Sequence, residues 1–110
     1  MAANIVKAVT ATATAENMFT DWVSPTSQIP RSDKGHGRLN LSVSGTFVAT
    51  VTLQRRFADD SVAKAVETYT AATEQTVVDY EPGVEYRVGV ATGNFTSGSV
   101  SLRLSKQGVS

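Results

Sequence analysis

Few residues in this chain could carry reaction chemistry. His36 is the single histidine and there is no cysteine, so thiol nucleophiles, thiolate zinc sites, iron-sulfur clusters and disulfides are excluded together. A Ser-His-Asp arrangement would have to use His36, yet Gly35-His36-Gly37 sets it in a glycine-flanked loop with nothing local to orient the imidazole. It reads as an exposed loop histidine. The same triplet lacks the further glycine, the lysine and the strand-to-helix setting of a phosphate-binding loop. Asp59-Asp60 offers two carboxylates for general acid/base work or two oxygens for calcium. Calcium, however, takes about six to eight oxygens, and these are not clustered nearby. Between Ala58 and Ser61 the pair reads as turn chemistry. Arg55-Arg56, with Arg38 on a neighbouring strand, forms a local basic patch that reads as a solvated strand end balanced by Asp59, Asp60 or Glu67. Asn40-Leu41-Ser42 and Asn94-Phe95-Thr96 match the glycosylation pattern, as a chain rich in serine and threonine does by chance. The expectation is a protein that is not an enzyme and has no metal and no cofactor.

Ten Lys+Arg balance ten Asp+Glu, and the pI is 6.6. Such a chain has no whole-molecule field to gather nucleic acid or an anionic membrane, and neither is expected as a partner. Its 110 residues suit one domain. With 41% hydrophobic and 18% charged residues it is too apolar for disorder. The opening Met1-Ala2-Ala3-Asn4-Ile5-Val6-Lys7 lacks the basic-then-apolar pattern of a secretory signal, and no stretch approaches the roughly 18 apolar residues of a membrane span. A soluble chain made in the cytoplasm is expected.

The elements that must position any site are strands. Fifteen valines and fourteen threonines against five leucines favour a pleated, half-buried backbone. Residues 8–15 alternate Ala-Val-Thr-Ala-Thr-Ala-Thr-Ala; this is period two without large side chains, so it reads as an arm that needs a partner surface. Residues 17–24 concentrate Met18, Phe19, Trp22 and Val23 as an anchor into the core or another subunit, and residues 24–37 form a loop punctuated by Pro25, Pro30, Gly35 and Gly37. Leu39, Leu41 and Val43, then after Gly45 Phe47, Ala49, Val51 and Leu53, predict a hairpin with one buried face on each strand. Residues 61–75 fit either a helix capped by Ser61, with Val62, Ala65, Val66 and Tyr69 on one face, or a strand at Val66-Glu67-Thr68-Tyr69-Thr70; the strand is preferred. A short strand over residues 76–80 ends at the turn Glu81-Pro82-Gly83. Val84, Tyr86, Val88 and Val90, then Val100, Leu102 and Leu104, predict a second hairpin whose loop, residues 92–98, is bracketed by Gly93 and Gly98. Residues 106–110 are expected to fray. About six or seven strands at these spacings predict an all-β antiparallel β-sandwich, Ig-like or jelly-roll-like. It spans residues 16–110, with an extended N-terminal arm over residues 1–15.

Among the aromatic residues, Phe19 and Trp22 are expected as core or subunit-interface anchors in preference to a sugar-stacking platform. Phe95 either tucks over the end of the sandwich or stands out as a contact residue.

The run Leu39-Asn40-Leu41-Ser42-Val43-Ser44-Gly45-Thr46-Phe47-Val48-Ala49-Thr50-Val51-Thr52-Leu53-Gln54-Arg55, with Val66-Glu67-Thr68-Tyr69-Thr70-Ala71, Glu81-Pro82-Gly83-Val84-Glu85-Tyr86-Arg87-Val88-Gly89-Val90 and Thr96-Ser97-Gly98-Ser99-Val100-Ser101-Leu102-Arg103-Leu104, resembles small β-sandwich virion proteins of tailed bacteriophages. The resemblance implies a non-enzymatic capsid decoration or cement protein. Such a protein would self-associate, as a trimer on local three-fold axes, and would clamp the major capsid protein at the virion surface. On that implication the contacts fall in residues 1–15, with Val9, Thr10 and Thr12, and in residues 24–38, with Ile29, Arg31 and Lys34. Phe19, Trp22 and Phe95 complete the interface set. Deleting residues 1–15 is then expected to abolish oligomerisation or capsid binding. The rivals are a neck, tail or head-fibre component of the virion, and a carbohydrate-binding or adhesion module that would need Tyr80, Tyr86, Trp22 or Phe95 exposed on one face.

Overall fold

A computed structural model describes residues 6–25, 38–57, 62–79, 81 and 83–107, with residues 6, 7, 106 and 107 as backbone alone. The described chain is all-β. Eight strands follow in order: β1 Val6–Ala13, β2 Met18–Phe19, β3 Arg38–Ser44, β4 Phe47–Phe57, β5 Lys64–Tyr69, β6 Thr73–Val78, β7 Val84–Gly98 and β8 Val100–Gln107. They form two antiparallel sheets of order β1-β8-β3-β6 and β2-β7-β4-β5. The alternation read from the sequence sets the inner faces. Leu41 pairs with Leu104 and Val43 with Leu102 in the first sheet, while Val51 pairs with Val90 and Leu53 with Val88 in the second. All of these side chains are buried in one cluster shared by both sheets, the arrangement of a β-sandwich.

The pairing has a simple order. β1 pairs with β8, β2 with β7, β3 with β6 and β4 with β5, as in one long hairpin folded at the β4–β5 connection. Rolling that ribbon brings β3 against β8 and β4 against β7. Every connection except β4–β5 therefore crosses from one sheet to the other.

Several expectations are corrected. The two predicted hairpins do not form, because β3 and β4, like β7 and β8, lie in different sheets; periodicity tells which face a residue lines, and it does not name the partner strand. Residues 92–98 are no loop but the second half of β7, paired to Phe47, Val48 and Ala49. Gly93, at φ +85, sits where the register with β4 shifts, the signature of a bulge within a strand. The true break is at Gly98, whose φ of +98 and close approach to the Thr46 carbonyl leave no room for a side chain. Among residues 62–75 the helical alternative is absent and β5 and β6 stand in its place. The arm is also changed: residues 6–13 are β1, an edge strand of the chain's own sheet. Ala13 is fully buried there, and Val9 and Ala11 pack against the core. The partner surface that this small-residue strand requires is β8.

Candidate functional site

The densest grouping of functional side chains lies on the outer face of the β2-β7-β4-β5 sheet. In β7, Val84, Tyr86 and Val88 are buried, so Glu85 and Arg87 alternate to the outside; in β4, Gln54 and Arg56 do the same next to buried Leu53. Register then makes pairs of them, Gln54 opposite Arg87 and Arg56 opposite Glu85. Arg87 donates from Nε to Gln54 Oε1 at 2.8 Å, and Arg56 donates from Nε to Glu85 Oε1 at 3.0 Å.

Residues 17–23 lay two aromatic rings on this face. β2 continues as a ragged edge along β7: Asn17 donates to the Val90 carbonyl at 2.7 Å and Thr20 to the Val88 carbonyl at 2.9 Å. Val23 and Tyr86 exchange two further backbone bonds. The buried Thr20 hydroxyl accepts from the Val88 N–H at 3.2 Å, so a side chain replaces one rung of the ladder. Phe19 pairs with Gly89 and covers it closely enough that a Cβ there would meet the ring. The result is a row of alternating rings and guanidinium groups. The Arg87 guanidinium carbon lies 4.0 Å from the Phe19 ring centroid and 4.7 Å from that of Trp22, and the Arg56 carbon lies 4.1 Å from Trp22. Each such contact contributes about 0.5–2 kcal/mol, more as water is excluded. Burial first, and then the charge of Arg56, pull the Arg87 guanidinium below its ordinary pKa.

A second cluster closes one end of the sandwich. Arg55 shares the inward alternation of Val51 and Leu53 and meets Asp79, which follows β6 in the other sheet. Asp79 Oδ2 accepts from Arg55 Nε at 2.8 Å and from the Tyr86 hydroxyl at 2.7 Å, and Oδ1 accepts from the Glu81 N–H at 3.0 Å. Burial alone would raise the Asp79 pKa; the bonds from Arg55, Tyr86 and Glu81, with the Arg55 charge, outweigh it and hold the carboxyl below its usual value. Burial and the bond to Asp79 push the Tyr86 hydroxyl up to about 12. Through Arg55 and Tyr86, Asp79 ties the end of β6 to β4 and β7 in the other sheet. Among the described residues, the buried Tyr69 hydroxyl has no hydrogen-bond partner.

The predicted contact residues divide between faces. Thr10 and Thr12 are exposed on the opposite sheet, along a shallow groove of about 470 Å³ shared with Ser42, Ser101 and Arg103, while Val9 turns to the core. Phe19 and Trp22 are half-buried in the row, and Phe95 is half-buried against the core. Ile29, Arg31 and Lys34, like His36, Asp59 and Asp60, lie outside the described residues. Sequence reasoning missed Arg87, Gln54 and Glu85, and took Arg56 only as half of a patch with Arg55. Treating Arg55 and Arg56 as one patch concealed that neighbours in a strand face opposite ways; the alternation itself would have separated them. Among the described residues, no three His, Cys, Asp or Glu side chains gather where they could hold a metal ion.

No family model, no curated protein and no solved structure matches this chain.

Proposed function

We propose that this chain is a non-enzymatic structural protein of a bacteriophage virion, a head decoration or cement protein that self-associates, as a trimer, and binds the major capsid protein to stabilise the shell. The structural observation that supports the reading is the strand order. Pairs β1·β8, β2·β7, β3·β6 and β4·β5 favour the jelly-roll arrangement over the Ig-like one, and eight-stranded jelly rolls recur in viral capsid and lectin domains. Fold alone does not carry a role; the resemblance over residues 39–104 supplies it. The lectin-like rival is weakened at two of its residues, since Tyr86 is buried and Phe95 packs against the core.

The surfaces suit work by contact area. β5 is an edge strand exposed over residues 64–68, and exposed Phe57, Val62 and Val66 lie beside or within it; such an edge accepts strand addition. Each bound copy stabilises the shell by its binding free energy, and attachment through several copies raises apparent affinity without tight single contacts. The chain would be made in the host cytoplasm and end on the capsid surface. The test is add-back: particles assembled without the chain are mixed with purified protein and heated. Saturable binding with a raised temperature of genome release is expected; no binding overturns the reading.

A further inference from the structure

The row Phe19, Arg87, Trp22 and Arg56 contains two guanidinium groups and one carboxylate, that of Glu85, which Arg56 takes up. Among the described residues, the only side-chain hydrogen-bond partner of Arg87 is the neutral Gln54 amide. This half-buried cation, 4.0 Å and 4.7 Å from two ring centroids and without a carboxylate partner among the described residues, is preorganised for an anion from outside: Nε is committed to Gln54, and the terminal nitrogens keep the fork geometry that matches a carboxylate. Arginine and tryptophan on a rigid strand face are also the residue types that dominate binding hot spots. The chain as a whole is neutral, so this is a local charge and no part of a general basic surface.

We propose that this row is a docking site for an acidic side chain of a protein partner, its carboxylate seated on Arg87 and its stem against Trp22 and Phe19. The assignment rests on the proposed assembly role only for whose carboxylate it is, which in that role is the major capsid protein's. Arg87 provides the bidentate contact, Gln54 fixes its rotation, and Arg56 adds positive potential while staying paired.

The test is NMR on the full-length, ¹⁵N-labelled chain titrated with an N-acetylated, C-amidated hexaglutamate peptide, following the Arg87 Nε–Hε and Trp22 indole signals. Saturable shifts of both are expected, with Arg103 on the opposite sheet unmoved and binding at least about tenfold weaker in Arg87→Gln. Should Arg87→Gln lose its folded amide spectrum, Arg87→Lys, which keeps the charge and loses the fork, is expected to show the same weakening. Unmoved Arg87 and Trp22 signals, or equal shifts at Arg103, overturn the site. Inorganic phosphate moving the same signals at lower concentration than the peptide overturns the choice of a protein carboxylate. Peptide binding by a chain that fails to bind shells would leave the site standing and the virion role fallen; shell binding without peptide shifts would do the reverse.

Discussion

At the scale of single residues, the contrast between Arg55 and Arg56 is the most instructive. They are adjacent and chemically identical, yet one turns inward to tie the sheets through Asp79 and the other faces out to stack on Trp22 and pair with Glu85. The inward tie has measurable consequences. Asp79→Ala would leave the Arg55 guanidinium and the Tyr86 hydroxyl without their acceptor, and urea denaturation at neutral pH is expected to show a loss of about 1–3 kcal/mol. Because the folded state holds the Asp79 pKa below its ordinary value of 3.8, the stabilisation is complete above that value. It fades as pH falls through it toward the lower folded pKa, so the gap between wild type and Asp79→Asn is expected to close in acid. Tyr86 has the opposite sign. Its hydroxyl, raised from 10.0 to about 12, binds its proton more tightly when folded, so stability is present below pH 10 and lost between there and about 12. Tyr86→Phe is expected to abolish that part of the alkaline loss in denaturant midpoints measured across the range; an unchanged alkaline slope would place the loss elsewhere.

At the scale of elements, the strands were legible wherever large apolar residues alternate, as in Leu39, Leu41 and Val43 or Val84, Tyr86, Val88 and Val90. Partnership was not. A tight turn at Gly45 serves an arch between sheets as readily as a hairpin within one, and Gly93 looks in sequence like a loop bracket while acting in the fold as a bulge in the 15-residue β7. The outer-face row was half legible: Phe19 and Trp22 stood out by type, whereas Gln54, Arg56, Glu85 and Arg87 become a set only through the β4–β7 register. Residues 8–15 read as an arm that needs a partner surface, but the local pattern could not say that the surface is β8, at the far end of the chain. This changes what truncation does. A chain beginning at Glu16 loses Ala13 from the core and bares the β8 edge over Val100, Leu102 and Leu104. Its thermal midpoint is expected to fall sharply, with aggregation through the new edge; a truncated chain that melts with the wild type would mean that β1 contributes nothing to the fold.

At the scale of the whole molecule, pairing the first strand with the last and the fourth with the fifth makes the sandwich one rolled ribbon, its inner faces sharing a single core. Burial class and strand content follow from composition. The roll does not, since it is fixed by which strands meet across the full length of the chain. The same roll leaves β5 and β6 as edges on one side, β1 and β2 on the other, and the arginine–aromatic row on an outer face, a layout suited to contacts on several sides at once. The measurement that bears most directly on the proposed role is the copy number of this chain, by quantitative mass spectrometry, in purified particles of the phage that, on this proposal, would encode it. The account predicts a number comparable to that of the major capsid protein; a handful of copies would move the chain to the neck or tail, and its absence from the particles would contradict the account.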